Sequence, residues 1–181
     1  MSLFLAVFLP GLFLALLGGL LLWNDPRVGS AAKALPRSQS GAWLFFGIGA
    51  ACFVWRLARV GESDLIFFQQ PMPLMIGFGV LALLAFIYTP DFLAVRGLSV
   101  LMLVAAEPLL KTAYMEWTHP WRLLMVAAVY IGLALALYLA AAPFKLRDFF
   151  GWLFGAPGRA RALGAALLVY GLATSAAAFT C

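Results

Sequence analysis

Six apolar runs, each close to the length a helix needs to cross a bilayer, follow one another along this chain with only short gaps between them. A helix rises ~1.5 Å per residue, so about 20 mainly apolar residues cross a ~30 Å hydrocarbon core. The runs are Leu3–Trp23, Ala42–Val60, Pro73–Tyr88, Phe92–Trp117, Trp121–Ala142 and Ala160–Phe179. Stretches such as Leu12–Leu22 and Leu123–Ala142 lack the apolar–polar alternation that barrel strands require. The expected fold class is therefore all-α: one integral membrane bundle of six transmembrane helices over 1–181, with short loops and one or two interfacial helices. Charged residues make up 10% of the chain. Soluble domains typically carry roughly 25%. The longest polar stretch, Asn24–Gly41, is too short to build a core of its own.

Charge placement sets the expected orientation. Arg27, Lys33, Arg37, Arg96, Lys145, Arg147, Arg159 and Arg161 fall on one side of the alternating spans, with Asp25, Asp91 and Asp148. Arg56, Arg59, Lys111 and Arg122 fall on the other, with Glu62, Asp64, Glu107 and Glu116. The first side thus holds the whole net charge of +5 and the second none. Basic loops stay cytoplasmic, so both termini are expected outside, in the periplasm of a bacterium with the chain in its inner membrane. A basic rim against anionic headgroups accounts for the pI of 9.6 without a nucleic-acid partner. The first run has no charge before Asp25 and reads as a retained helix, not a signal peptide.

The junctions carry local chemistry. Asn24-Asp25-Pro26 stops the first helix, and Ser40-Gly41 precedes the second. Thr89-Pro90-Asp91 and His119-Pro120 have the cap-then-proline order of helix starts. Leu65–Gln70 and Phe144–Phe154 are the expected interfacial pieces. In the latter Lys145, Arg147 and Asp148 face water and the aromatic residues face lipid. The first and last hairpins share a loose order of prolines and basic residues. That order fits a parallel repeat, but the proline spacings differ between the two, and the general basicity of cytoplasmic loops is the favoured explanation.

Asp91-Phe-Leu-Ala-Val-Arg-Gly97, His119-Pro-Trp-Arg122, Pro143-Phe-Lys-Leu-Arg-Asp148 and Arg161-Ala-Leu-Gly164 resemble motifs of small polytopic bacterial inner-membrane protein families with no assigned activity. The resemblance covers roughly the second half of the chain. It implies the architecture and transfers no site.

The sharpest chemical candidate is Glu107 with Lys111, four residues on in the fourth run, and Tyr114 one turn further. Glu before Lys at this spacing is the favourable helical order. A carboxylate inside a bilayer costs roughly 2.5–3.5 kcal/mol on insertion scales and so needs a partner or water. Pro108 leaves the carbonyl of Val104 without its helical donor, a candidate ligand or hinge. One reading is a proton relay or ion-binding notch. The other is an interfacial cluster with Glu116, Lys111 snorkelling to the surface. Arg56 and Arg59, with Glu62 and Asp64, read either as a headgroup anchor or as a site for an anionic lipid or substrate. Gly164, Gly171, Ser175 and Ala178 share one face of the last run, suited to close packing within the bundle or against a partner. His119 is the single histidine. One histidine excludes bis-histidine haem ligation and leaves zinc without its usual ligands, so no metal and no cofactor are expected. Cys52 and Cys181 read as free thiols.

The chain holds no hydrolase, metalloprotease or dithiol motif. The favoured expectation is a non-enzymatic subunit, scaffold or assembly factor, with the lipid bilayer and other membrane subunits or a second copy as partners. A small secondary transporter or ion conductor using Glu107 is the alternative. A lipid-headgroup-modifying enzyme using the Arg56 cluster is the third.

Overall fold

The structure, a computed structural model, describes residues 2–61 and 70–180. It is all-helical, and no strand forms among the described residues. Helix α1 (Leu3–Trp23) is capped by the Ser2 hydroxyl, which accepts from the Leu5 N–H, and ends where Asn24 turns left-handed at φ 50°. Asparagine tolerates that conformation better than most residues. The Asp25 carboxylate then accepts from the Arg27 N–H at 2.8 Å. Pro26 opens α2 (Pro26–Ala34) with its φ already suited to a helix. A 3-10 turn, Leu35–Arg37, leads to α3 (Gln39–Gly41), a π-helical stretch Ala42–Gly47 and α4 (Ile48–Leu57). These last three run on as one rod, Gln39–Leu57. The rod therefore starts before Ser40-Gly41, which were expected to precede it, and its cap is Ser38, whose hydroxyl accepts from the Gly41 N–H at 3.1 Å.

Next come α5 (Met72–Tyr88) and α6 (Leu93–Ala113). Thr89 does not start α6 as its cap. It closes α5, its hydroxyl donating to the Ala85 carbonyl at 3.1 Å, and α6 begins after Phe92 takes a left-handed φ of 57°. Helices α7 (Arg122–Ala141), α8 (Phe144–Leu153) and α9 (Pro157–Ala178) complete the order. The expected interfacial piece at Phe144 is thus a helix, and α2 is a second short amphipathic one within the stretch read as polar loop. Leu65–Gln70, with Glu62 and Asp64, lies outside the described residues, Gln70 excepted.

Among the described residues, five helices are long and apolar enough to cross a membrane: α1, the Gln39–Leu57 rod, α6, α7 and α9. The third run forms α5, a shorter apolar helix of 17 residues. The fourth run stops at Ala113, not Trp117, because Tyr114 turns extended and Met115 left-handed at φ 64°.

Glycine decides the tightest contact. Helices α1 and α9 pack antiparallel, Gly11 beside Ser175 and Gly18 beside Gly164 and Leu168. A Cβ on Gly11 would lie 2.6 Å from Ser175 Oγ, and one on Gly164 2.8 Å from the Gly18 carbonyl oxygen, both inside van der Waals contact. The backbones touch there, which only glycine allows. Around this pair, Ala6, Val7, Ala106, Met125 and Val129 form a buried cluster joining α1, α6 and α7. At the other end of α1, Leu21 packs with Leu153 and Ala160, and the Phe154 ring lies against Gly29, so α8 and α2 sit side by side.

Arg122 pins the turn between α6 and α7. It is only 8% exposed, its Nε donates to the Ala113 carbonyl at 3.0 Å and its Nη1 to that of His119 at 3.3 Å. A cation on the last carbonyls of α6 is favourable for both hydrogen bonding and the helix dipole. His119 sits before α7 as expected, but its ring reaches Thr180 just beyond α9. Nδ1 lies 2.9 Å from the Thr180 carbonyl. A carbonyl can only accept, so Nδ1 carries the proton. Cys52 is a free thiol.

Candidate functional site

Helix α5 joins the bundle along one side only. Its rings meet the preceding rod, Phe86 stacking on Trp43 at 4.5 Å and lying edge-on to Phe46 at 5.2 Å, and Phe78 meeting Phe53 at 5.2 Å. Trp43 and Phe46, two of those rings, stand on the π stretch, whose wider turn marks a local departure from α geometry. No residue of α5 is fully buried; α5 packs on α4, and its Ala85 and Phe86 also lie against the cluster of Ala42, Leu93 and Ala94. The rod packs firmly on α6, because Gly97 lets the α6 backbone meet the backbone of Phe45 and Phe46 directly.

The result is a groove of about 590 Å³ between α4, α5 and α6. Its walls are Phe53, Val54, Phe78, Leu81, Leu103 and Val104, and its polar groups are Arg56 and Glu107. Arg56 Nη1 and Glu107 Oε2 are 2.7 Å apart, an ion pair bridging α4 and α6. Their side chains are 31% and 58% exposed. Arg56 precedes the last residue of α4, and Glu107 lies six residues before the end of α6. Six residues of helix span about 9 Å. The pair therefore closes one end of the groove near the helix termini.

This pairing differs from the expected Glu107–Lys111 couple. Lys111 is exposed and in no ion pair among the described residues, and Tyr114 has left the helix and is 76% exposed. The three-residue relay on one helix face is not assembled. Interhelical geometry wins over the i, i+4 pattern because Arg56 lies directly across from the carboxylate. Pro108 is accommodated within a continuous α6, with the Thr112 hydroxyl donating to its carbonyl at 2.7 Å. Arg59 is held over the Trp55 ring at 4.0 Å. Gly164, Gly171 and Ser175 all face α1. Sequence reasoning misses Gly97 and the burial of Arg122. The first carries a signal, a lone glycine in an apolar helix, and the second carries none.

A second depression, about 720 Å³, lies at the opposite end of α5 between Arg37, Gln39, Trp43, Ile87 and Asp91. Among the described residues no three His, Cys, Asp or Glu side chains come together as metal ligands would.

The arrangement defines a helical bundle with five candidate membrane-crossing helices and an apolar groove ended by an ion pair. Compared with protein-family models, curated proteins and solved structures, the chain finds no match.

Proposed function

We propose that the chain is a six-span bacterial inner-membrane protein of non-catalytic type, a subunit or assembly factor that works through contacts made within the plane of the bilayer. Helix α5 serves as the sixth span with its 17 residues. That length reaches about 26 Å, the lower limit for crossing. The α2–α8 end bears the basic excess and faces the cytoplasm by the positive-inside rule. Both chain ends then lie on the periplasmic side.

One observation carries the reading: the groove and the ion pair lie on the flank that α5 leaves open, away from the tightly packed α1–α9 face. The small-residue face of α9 meets α1, so the case for a partner rests on the α4–α5–α6 flank. Alkaline washing of membranes, then mild detergent extraction and affinity capture, tests it. The chain should stay with the membrane and emerge with a stoichiometric membrane partner. Release by alkali would overturn the bilayer reading, and recovery alone would overturn the subunit reading.

The interhelical pair Arg56–Glu107 favours a second reading, an ion-coupled transporter with Glu107 as the coupling carboxylate. There, Glu107→Gln should abolish pH-dependent uptake into proteoliposomes, whereas a subunit tolerates it.

A further inference from the structure

We infer that the groove between α4, α5 and α6 is a binding site for one acyl chain of a zwitterionic aminophospholipid, with its headgroup on Arg56 and Glu107. The inference rests on the bilayer reading and not on the subunit reading.

Length argues for a lipid chain. Along the rod the groove runs from Phe46 to Arg56. Those ten residue-to-residue steps span about 15 Å at ~1.5 Å per residue. That is half of a ~30 Å hydrocarbon core, the depth of a single leaflet. The walls of Phe53, Phe78, Leu81, Leu103 and Val104 are wholly apolar, and both charges stand at the end nearest the helix termini. Apolar slot and charged mouth match the two parts of an amphiphile. The groove volume of about 590 Å³ is of the size that small-ligand sites take.

Charge complementarity selects the headgroup. Arg56 and Glu107 neutralise each other at 2.7 Å. Separating them leaves one charge of each sign to satisfy. A phosphate can take the guanidinium fork while a primary ammonium donates to the carboxylate, so neither charge is stranded. An anionic phosphoglycerol headgroup would satisfy Arg56 and leave Glu107 facing a like charge. A quaternary choline headgroup has no N–H to donate to the carboxylate. Trp55 does not line the groove, and the Arg59 guanidinium already lies over its ring at 4.0 Å. An ethanolamine headgroup fits both groups.

The test is native mass spectrometry on the purified full chain in mild detergent, delipidated and offered equal amounts of phosphatidylethanolamine, phosphatidylglycerol and phosphatidylcholine with identical chains. Phosphatidylethanolamine should be retained at least about fivefold more than either competitor, the scale of one charge-assisted hydrogen bond. Arg56→Ala and Glu107→Gln should each remove the preference, and R56K, which keeps the charge but not the planar fork, should retain only part of it. Ala82→Phe, which fills the groove without touching the pair, should lower retention of all three lipids. Soluble phosphoethanolamine should not compete at matching concentration. Equal retention of the three lipids by the wild type, or full competition by the soluble headgroup, would overturn the assignment. A chain that needs no detergent would instead overturn the bilayer reading.

Discussion

The two flanks of the bundle are built from different residues and pack to different ends. Along α1 and α9, glycines at Gly11, Gly18, Gly164 and Gly171 bring backbones into contact and leave no space for a ligand. Along α4 and α5, paired rings hold the helices apart and leave a groove ended by Arg56 and Glu107. Small residues make a closed seam because dispersion contacts are gained only at close approach. Rings cover large areas, and two of these three pairs meet edge-on, so they join two helices without sealing a third against them. The closed flank holds the fold, and the open flank keeps the space in which binding is proposed.

The largest effect that can break this contrast is at the seam. Gly171→Leu drives a side chain into the Ala15 backbone, where no flexible atom can yield. The cost should exceed about 3 kcal/mol, the upper part of the overpacking range, and read out as loss of the monodisperse species on size-exclusion chromatography. Gly97→Ala should come next. It is the point on the open flank where backbones touch, and even a methyl group overlaps Phe46. A drop of about 1–3 kcal/mol is expected in thermal unfolding.

Arg122→Ala removes two charge-assisted hydrogen bonds from a residue 8% exposed. It should cost about 2–3 kcal/mol, seen as a lower unfolding temperature and faster amide exchange at the end of α6. Breaking the Arg56–Glu107 pair should matter less to the fold. Both groups are substantially exposed. Glu107→Gln should therefore change stability by no more than ~1 kcal/mol in the same assay.

Much of the scaffold is legible from local signals. Four of the six runs appear as long apolar helices within a few residues of their expected bounds, since apolar length needs no knowledge of neighbours. The fourth run is cut short at Tyr114, where the chain turns toward Trp117 and Arg122, and the third forms the shorter α5. The second helix begins ahead of Ser40-Gly41, at a Ser38 cap, and Thr89 ends a helix instead of starting one, because neighbouring positions offer hydroxyls and only the backbone path chooses between them. The site is legible in its parts and not in its pairing. Arg56 and Glu107 fall on the same side of the spans in the sequence, but which helix stands beside which is a tertiary fact. A pattern four residues apart therefore points Glu107 to Lys111, whereas the α4–α6 contact gives it Arg56. The same limit hides Gly97, whose neighbour is set by the π stretch across from it.

The division of labour between the flanks is tested most directly by unfolding Gly171→Leu and Ala82→Phe side by side in one detergent. Ala82 borders the groove, where an added ring meets open space, whereas Gly171 faces backbone. Ala82→Phe should melt within about 1 kcal/mol of the wild type, while Gly171→Leu should yield no cooperative transition. Equal destabilisation by the two substitutions, or a folded Gly171→Leu protein with wild-type stability, would contradict that division of labour.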